Sequence, residues 1–394
     1  MSNDAVTVRA NGVDLKGWTT VKITSGITMA ARTFAVGITF SWPQAKDVLT
    51  AVNVGDKVEV KIGNDTVLTG YIFSSPISYD STSVTVSISG RSKTSDIIDC
   101  CPIASAITKP SSSGDSSWAG AGAVSASKSP TPAQNPAVAQ WKNQSIEQIA
   151  ADICQPYGVE VIAETSTGDP ITLHAIESGE TCFESISRLL TVGQLFAMDD
   201  ESGRLVLTES GAKGRASGGL ELGVNILSGS MQRDASEVFS DYVVEGQRAG
   251  TDDSFAADAS HLNAEISDAE TSRYRLIVLP QSGAMSTDLC RQIAQFEQRR
   301  RRALLKSVSY EVVGWRDSVG QLWRPNTQVH VKDPMFGIDE TLLLAEVEYS
   351  LSSSGMISRL NLAPIDAFKA SPTQSQIDQS EATGGSSSWM DQIK

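Results

Sequence analysis

The sequence predicts an α+β protein that is mainly β, with two similar β-units near the ends of the chain and a small α/β domain between them. Near both ends, apolar and polar residues alternate, which is typical of strands that bury one face. The alternating segments occur in the same order in both places, at residues 58–62, 67–73 and 84–91 and again at residues 329–332, 342–349 and 359–364. We therefore expect one β-fold to occur twice in this chain.

The first β-unit is predicted to cover residues 1–103. Asn11 and Gly12 separate two of its strands, and residues 63–65 (Gly-Asn-Asp) separate two others. These residue types accept the left-handed backbone of tight turns, so they predict antiparallel hairpins. Residues 104–140, which follow, are rich in Ser, Ala and Pro. They bury little apolar surface and are predicted to be a flexible insertion.

Residues 141–210 are predicted to form the small α/β domain. Ser145 and Gln148 have the spacing of a helix capping box, and so do Thr181 and Glu184. Apolar residues at helical spacing follow each pair, so two helices are expected. A strand at 159–163 and a hairpin at 195–208 complete this prediction.

The second β-unit is predicted at residues 211–368, with one helix inserted near residues 285–305. In that helix, Leu289, Ile293, Phe296 and Ala303 lie along one apolar stripe. Residues 369–394 are rich in Ser, Gln and Gly and are predicted to be a mobile C-terminal tail.

Charge and composition exclude several classes of protein. The net charge is −14, and residues 101–280 alone contain 11 basic and 24 acidic groups. Such a surface repels phosphates, so no sequence-specific nucleic-acid binding is expected, although DNA could pass a surface that does not hold it. No apolar run approaches the roughly 20 residues of a membrane-spanning helix, so no membrane insertion is expected. The start of the chain lacks a signal-peptide pattern, which predicts synthesis in the cytoplasm.

No residue pattern predicts catalysis or metal binding. His174, His261 and His330 lack the close spacing of metal ligands, and His330 is expected to face solvent. The acidic stretch at 252–270 lacks the spacing of a calcium loop. The five cysteines show neither zinc nor disulfide-framework spacing. We therefore predict a protein that is not an enzyme, with no catalytic, metal or cofactor-binding residues and no cofactor.

The strongest local charge signal is the run of Arg299, Arg300, Arg301 and Arg302. It lies near the end of the predicted helix, where cations stabilise the helix dipole. Alternatively, the four arginines form a contact with acidic residues of another subunit or a partner. Both interpretations are open at this point, and a nucleic-acid contact is a third one, which the small size of the patch disfavours.

Five segments resemble the baseplate hub proteins of Mu-like contractile-tailed bacteriophages (the tail hub or late control protein D family). These segments are residues 90–100, 140–158, 239–246, 298–302 and 320–326. The resemblance runs in order from the N-terminus to about residue 368. It does not cover residues 104–139 or the tail, which therefore inherit no family role.

The resemblance implies a homotrimer in the tail baseplate of a virion, with two tail-tube-like β-barrel domains in each chain. Three chains would present six such units and act as a symmetry adaptor between the hexameric tail tube and the trimeric central spike. That role would be required for tail assembly and genome delivery, with DNA passing through the lumen. The implied partners are the central spike protein and the tail tube or tube-initiator protein. Baseplate wedge proteins and the tape measure protein are further candidates.

Two alternatives remain open. The first is the hub of a related contractile injection system, such as a phage-tail-like bacteriocin or a type VI-like spike. The second is a tail-associated protein that degrades peptidoglycan or binds glycans. Paired carboxylates are plentiful in an acidic chain, so they do not by themselves support a glycosidase site.

Overall fold

The computed structural model describes residues 4–41, 52–102, 140–247, 262–284 and 287–368. Within these ranges the chain forms 22 strands and four α-helices, and the prediction of a mainly β protein is confirmed. Residues 104–139 of the predicted insertion, the tail from residue 369 and His261 lie outside the described residues.

The N-terminal β-unit is an antiparallel arrangement of eight strands followed by a short helix. Asn11 and Gly12 have φ angles of 50° and 80° and form the predicted hairpin turn. Valines and isoleucines alternate inward along the strands and fill the core. The elements are β1 (Val6–Ala10), β2 (Val13–Leu15), β3 (Thr20–Gly26), β4 (Thr33–Ser41), β5 (Lys57–Ile62), β6 (Asp65–Ser74), β7 (Ile77–Tyr79), β8 (Ser83–Ser92) and α1 (Ser95–Asp99).

The α/β domain contains two small sheets and two capped helices with a core of their own. Thr181 and Glu184 form a complete capping box, whereas Ser145 accepts a hydrogen bond from the Gln148 backbone without the reciprocal bond. Its elements are β9 (Gln140–Gln144), α2 (Ile146–Cys154), a 3₁₀ turn (Gln155–Tyr157), β10 (Val161–Ala163), β11 (Ile171–Ala175), α3 (Cys182–Gly193), β12 (Phe196–Asp199) and β13 (Leu205–Thr208). The predicted hairpin is the β12–β13 pair.

The remaining chain forms the C-terminal β-unit and a smaller unit inserted into it. The inserted unit has a three-stranded sheet covered by one helix, and it has its own apolar core. In chain order, the elements are β14 (Leu220–Glu221), β15 (Ile226–Met231), the inserted β16 (Asp241–Gln247), β17 (Leu262–Ser267), β18 (Leu276–Ala284) and α4 (Thr287–Leu304), then β19 (Val308–Val313), β20 (Gln328–Asp333), β21 (Ile338–Ser352), β22 (Gly355–Ala363) and a 3₁₀ turn (Ile365–Ala367). Helix α4 is the helix predicted near residues 285–305.

The two β-units share the same strand order. The sheet order is β3-β4-β8-β6-β5 in the N-terminal unit and β15-β19-β22-β21-β20 in the C-terminal unit. The chain visits these strands in the same sequence in both units, and all neighbours are antiparallel. The repeated sequence pattern thus corresponds to a repeated strand order.

The two units are not separate closed barrels in the described part of the chain. Instead, β21 pairs with β3, in a register that runs from Glu346 opposite Gly26 to Leu351 opposite Val21. This pairing joins both units into one 14-stranded sheet and one shared core. The N-terminal unit thus contributes its edge strand β3, and the C-terminal unit contributes the half of β21 that extends beyond β20.

Candidate functional site

The candidate site is a row of eight strands that crosses both β-units. Its order is β15-β19-β22-β21-β3-β4-β8-β7, and all seven neighbouring pairs are antiparallel. In the described chain, the end strands β15 and β7 each pair with a strand on one side only. The free side of an edge strand carries unpaired backbone N–H and C=O groups, which are a template for pairing with another chain.

The β7 end of the row exposes large apolar side chains on its core face. Ile77 lies opposite Val86, and Tyr79 lies opposite Val84. Directly opposite residues share one face of a sheet, and both valines are buried. Nevertheless, Ile77 is 50% exposed and Tyr79 is 80% exposed. The face of the sheet that is buried at β8 is therefore uncovered at β7 in the described part of the chain.

The β15 end of the row is also apolar and open. Leu227, at an irregular position in the pairing with β19, is 55% exposed. Val224, in the turn that leads into β15, is 74% exposed. The residues between Leu227 and Ser230 are all exposed. The row thus ends on both sides in a strand that has one unpaired edge and uncovered apolar side chains.

The face of the row that points away from the core is polar and balanced in charge. Lys22 lies 3.0 Å from Glu348, and Arg359 lies 2.7 Å from Glu311. Hydrogen bonds from Arg359 and Ser228 lower the pKa of Glu311. Short hydroxyl side chains fill much of the remaining face, including Thr20, Thr39, Thr85, Ser87, Ser89, Ser309 and Ser350.

A buried ion-pair network fixes the α/β domain against both β-units. Arg32, in the turn between β3 and β4, donates from Nε to Oδ1 of Asp199 at 3.1 Å. Its Nη1 lies 3.4 Å from Glu201, which also pairs with Arg324 of the C-terminal unit at 3.1 Å. Burial opposes the charge on Arg32, but the carboxylates of Asp199 and Glu201 outweigh it and raise the pKa of Arg32. For Glu201, the attraction of Arg32 and Arg324 outweighs burial and lowers the pKa.

The arginine run lies on α4 and forms contacts within the chain. Arg301 pairs with Glu297 at 3.0 Å and with Glu237 at 2.7 Å. Arg302 pairs with Asp268 at 2.5 Å and also with Glu270. Glu237, Asp268 and Glu270 belong to the acidic region of the same chain, residues 101–280, whereas Glu297 lies on α4 itself.

The first two arginines of the run contact residues of α4 itself. Arg300 lies 3.0 Å from Glu297, and Arg299 donates to the Gln295 carbonyl at 3.3 Å. The side chain of Arg300 is 42% exposed. An intersubunit or partner contact through the run stays a prediction.

The histidines occupy two different environments. His330 is exposed, as predicted, and faces Asp339 at 3.3 Å. His174 is buried, and its Nε2 lies 2.9 Å from the Ser185 hydroxyl. Among the described residues, no group of three or more His, Cys, Asp or Glu side chains is arranged to hold a metal ion. No helix in those ranges combines the length and apolar character needed to cross a membrane.

Sequence reasoning missed the two open edges and the Arg32 network. Strand β7 has three residues, too few for a period-2 pattern, although the apolar Ile77 and Tyr79 flanking Ser78 are a faint signal. Arg32 and Asp199 are far apart in the chain and show no local pattern. An aspartate that ends an apolar strand, as Asp199 follows Phe196, Ala197 and Met198, was the signal available.

Three known families match consecutive parts of the chain. The family described as Mu phage baseplate assembly protein GpP-like, N-terminal, matches residues 5–92. Residues 132–209 match the second domain of baseplate hub protein gp44-like, and residues 286–371 match the fourth domain of Mu phage baseplate assembly protein GpP.

Whole-length relatives agree with these matches. The baseplate hub protein gp44 of Escherichia phage Mu is 31% identical over 98% of this chain and 94% of its own length. The crystal structure of the prophage MuSo2 43 kDa tail protein from Shewanella oneidensis matches with a TM-score of 0.74 and 28% identity, over 93% of this chain and 100% of that one. The tail protein from Neisseria meningitidis MC58 matches in fold with a TM-score of 0.73 and 20% identity, over 93% of this chain and 98% of that one.

Proposed function

Because this chain belongs to the family of Mu-like phage baseplate hub proteins, we propose that it forms a homotrimeric ring that joins the hexameric tail tube to the trimeric central spike. The family consists of structural baseplate and tail proteins, so the expectation that this protein is not an enzyme is confirmed. The location that follows is the tail baseplate of a virion.

The observation that carries the ring is the row of eight strands with two open ends. Adjacent strands alternate in direction along the row, so β15 and β7 point in opposite directions. Rotation about the ring axis keeps each strand direction, so β7 of one copy meets β15 of the next in the antiparallel sense. An odd number of strands would have given a parallel contact. The row can therefore continue from copy to copy in one uniform antiparallel sheet.

The repeated strand order supports the adaptor function. Each chain contributes two units of the same topology, so three chains present six units. A ring of six similar units matches a sixfold tube, while its true symmetry remains threefold and matches a threefold spike. We propose the central spike protein and the tail tube or tube-initiator protein as partners, with baseplate wedge and tape measure proteins as further candidates.

The polar face of the row would line the channel of this ring. Three rows of eight strands would close into one barrel. With strands about 4.8 Å apart and tilted by about 40° from the ring axis, its backbone diameter would be roughly 50 Å. Its cations Lys22, Arg91 and Arg359 are each paired with a carboxylate, and short hydroxyl groups lie between them. Since strong phosphate binding requires available Lys or Arg side chains, DNA would pass this lining without being held.

The test is the mass of the purified protein in solution. Sedimentation equilibrium and native mass spectrometry are expected to give three times the chain mass of 41.9 kDa. With the spike partner added, the complex should contain three hub chains. A protein that stays monomeric at high concentration, both alone and with the spike partner, would overturn the proposal.

A further inference from the structure

We propose that β7 of one copy pairs with β15 of the next copy in one defined register. In that register, Tyr79 lies opposite Gly229, Ser78 lies opposite Ser230, and Ile77 lies opposite Met231. The inference rests on the proposed ring and adds the residue pairs at its seams. The occupant of each open edge is a second copy of this chain.

The junction inside each chain serves as the template. There, the second half of β21 pairs with β3, with Tyr349 opposite Ile23, Ser350 opposite Lys22 and Leu351 opposite Val21. This contact joins the C-terminal unit of a chain to its N-terminal unit. A ring of six similar units needs the same type of contact from the N-terminal unit of one chain to the C-terminal unit of the next.

Strand β7 corresponds to the second half of β21. In both units the register shifts at one point, after Ile72 in β6 and after Leu344 in β21. Gly90 of β8 lies opposite Ile72, and Leu362 of β22 lies opposite Leu344. Since Ile72 and Leu344 are equivalent, Gly90 and Leu362 are equivalent as well. Counting onward along both strands gives the equivalent pairs, which are Ile77 with Tyr349, Ser78 with Ser350 and Tyr79 with Leu351.

Strand β15 corresponds to β3 by the same procedure. Gly90 lies opposite Phe34, and its equivalent Leu362 lies opposite Val308. Phe34 in turn lies opposite Ile23, and Val308 lies opposite Met231. Ile23 is therefore equivalent to Met231, which makes Lys22 equivalent to Ser230 and Val21 equivalent to Gly229.

Substituting these equivalents into the template gives the proposed register. The pair of Tyr349 and Ile23 becomes Ile77 opposite Met231, and the pair of Leu351 and Val21 becomes Tyr79 opposite Gly229. This register follows from the strand pairings within the two units alone. The side-chain types at the seam are an independent check.

The side chains agree with this register. A Cβ atom on Gly229 would lie 2.9 Å from the ring of Tyr310 and 3.2 Å from that of Phe336, so any larger residue there would require these rings to shift. Tyr79 opposite Gly229 would lie beside these rings, and an aromatic side chain across from a glycine is a favourable cross-strand pair.

A slip of one residue is excluded by the same side chains. It would turn Ile77 and Tyr79 to the polar channel face, since neighbouring residues of a strand point to opposite faces. In the proposed register, Ser78 and Ser230 instead meet on the channel face and extend its row of hydroxyl groups. A slip of two residues would move Tyr79 away from Gly229.

The test is an engineered disulfide across the seam, in the full chain. Opposite residues of an antiparallel pair have Cα atoms about 4.5–5.5 Å apart, which a disulfide can span. The variant Ser78→Cys/Ser230→Cys is treated with oxidised glutathione, which accepts two electrons and two protons from the two thiols and leaves as two reduced glutathione molecules. We expect covalent trimers on a non-reducing gel, at a yield at least several-fold above that of either single variant.

Two matched controls define the register. Ser78→Cys/Ser228→Cys shifts one partner by two residues and should link several-fold less. Lys22→Cys/Ser350→Cys places the bond at the equivalent position within one chain. It should lose its two thiols and still run as a single chain on the non-reducing gel. The unaltered chain, with its five cysteines, gives the background.

The outcomes separate the register from the ring itself. A protein that sediments as a trimer but links better through positions 78 and 228, or through neither pair, overturns the register while the ring stands. A protein that does not sediment as a trimer overturns the ring and the register with it. Covalent trimers from positions 78 and 230 support both.

Discussion

Arg32 and Asp199 form a buried ion pair that connects the N-terminal β-unit with the α/β domain. The Asp199 carboxylate accepts hydrogen bonds from both the side chain and the backbone N–H of Arg32, at 3.1 and 2.9 Å. A second Arg32 nitrogen donates to the Asp199 carbonyl at 3.0 Å. Asp199 thus holds the turn between β3 and β4, and β3 is the strand that pairs with β21.

Removing Arg32 alone should destabilise the protein strongly. The variant Arg32→Met leaves the Asp199 carboxylate buried without a counter-ion, which costs about 3–5 kcal/mol. The double variant Arg32→Met/Asp199→Leu removes both charges and should recover most of that loss. Urea unfolding at a fixed protein concentration measures the free energy of unfolding of the unaltered chain, the single variant and the double variant.

The control for this prediction is the exposed pair of Arg9 and Asp14, whose side chains are 50% and 43% exposed. Arg9→Ala should change stability by less than about 1 kcal/mol. Equal losses in the single and double Arg32 variants would contradict the ion-pair interpretation.

Local patterns predicted the elements of this fold better than their assembly. The alternation of Val58, Val60 and Ile62 is a property of one strand, and all three are buried in β5. The turn at Asn11 and Gly12 likewise depends on neighbouring residues only. Such signals require no knowledge of distant segments, and the structure contains each of them.

The contacts that define the candidate site connect segments distant in the chain. The pairing of β21 with β3 joins segments from opposite ends, and alternation along either strand does not reveal its partner. The sheet of β16, β17 and β18 forms an inserted unit with its own core, whereas the sequence indicated only β-structure with a helix. Strand order and strand pairing depend on which apolar faces pack together. A single sequence shows which face of each strand is apolar, but not which other strand it packs against.

Stability should depend on pH through His174. Burial is the main cause that lowers the pKa of His174 to about 4, from an ordinary value of 6.5, and Arg188 adds to it. Between these values the unfolded chain binds a proton that the folded chain does not. Stability should therefore fall as the pH falls from about 6.5 towards 4, by up to roughly 3 kcal/mol.

The variant His174→Gln removes this titration. Its free energy of unfolding, measured in urea at pH 7.5 and pH 4.5, should change less with pH than that of the unaltered chain. The same pH dependence in both proteins would show that other groups cause it.

The arginine run should divide into two pairs with different effects. Arg302→Glu places a carboxylate beside Asp268, which is 4% exposed, and we expect a loss of roughly 2 kcal/mol in stability. The interface prediction applies to Arg299→Glu/Arg300→Glu, which should weaken trimerisation or partner docking. Thermal unfolding and sedimentation of the same samples measure the two effects separately. If neither variant alters assembly, the interpretation of the run as a helix end is the correct one.

Tyr79 should contribute to assembly and little to the fold of the single chain. Its side chain is 80% exposed, so Tyr79→Asp should leave the unfolding of the isolated subunit almost unchanged. In the proposed ring the next copy would cover this position, and burying a carboxylate there costs free energy. Loss of a central aromatic contact costs about 2 kcal/mol or more for each interface, which corresponds to at least roughly 30-fold weaker association.

Val13→Asp, on the exposed strand β2 at the far end of the sheet, is the matched control and should sediment as the unaltered protein does. A Tyr79→Asp variant that remains fully trimeric at low concentration would show that β7 does not lie at the seam.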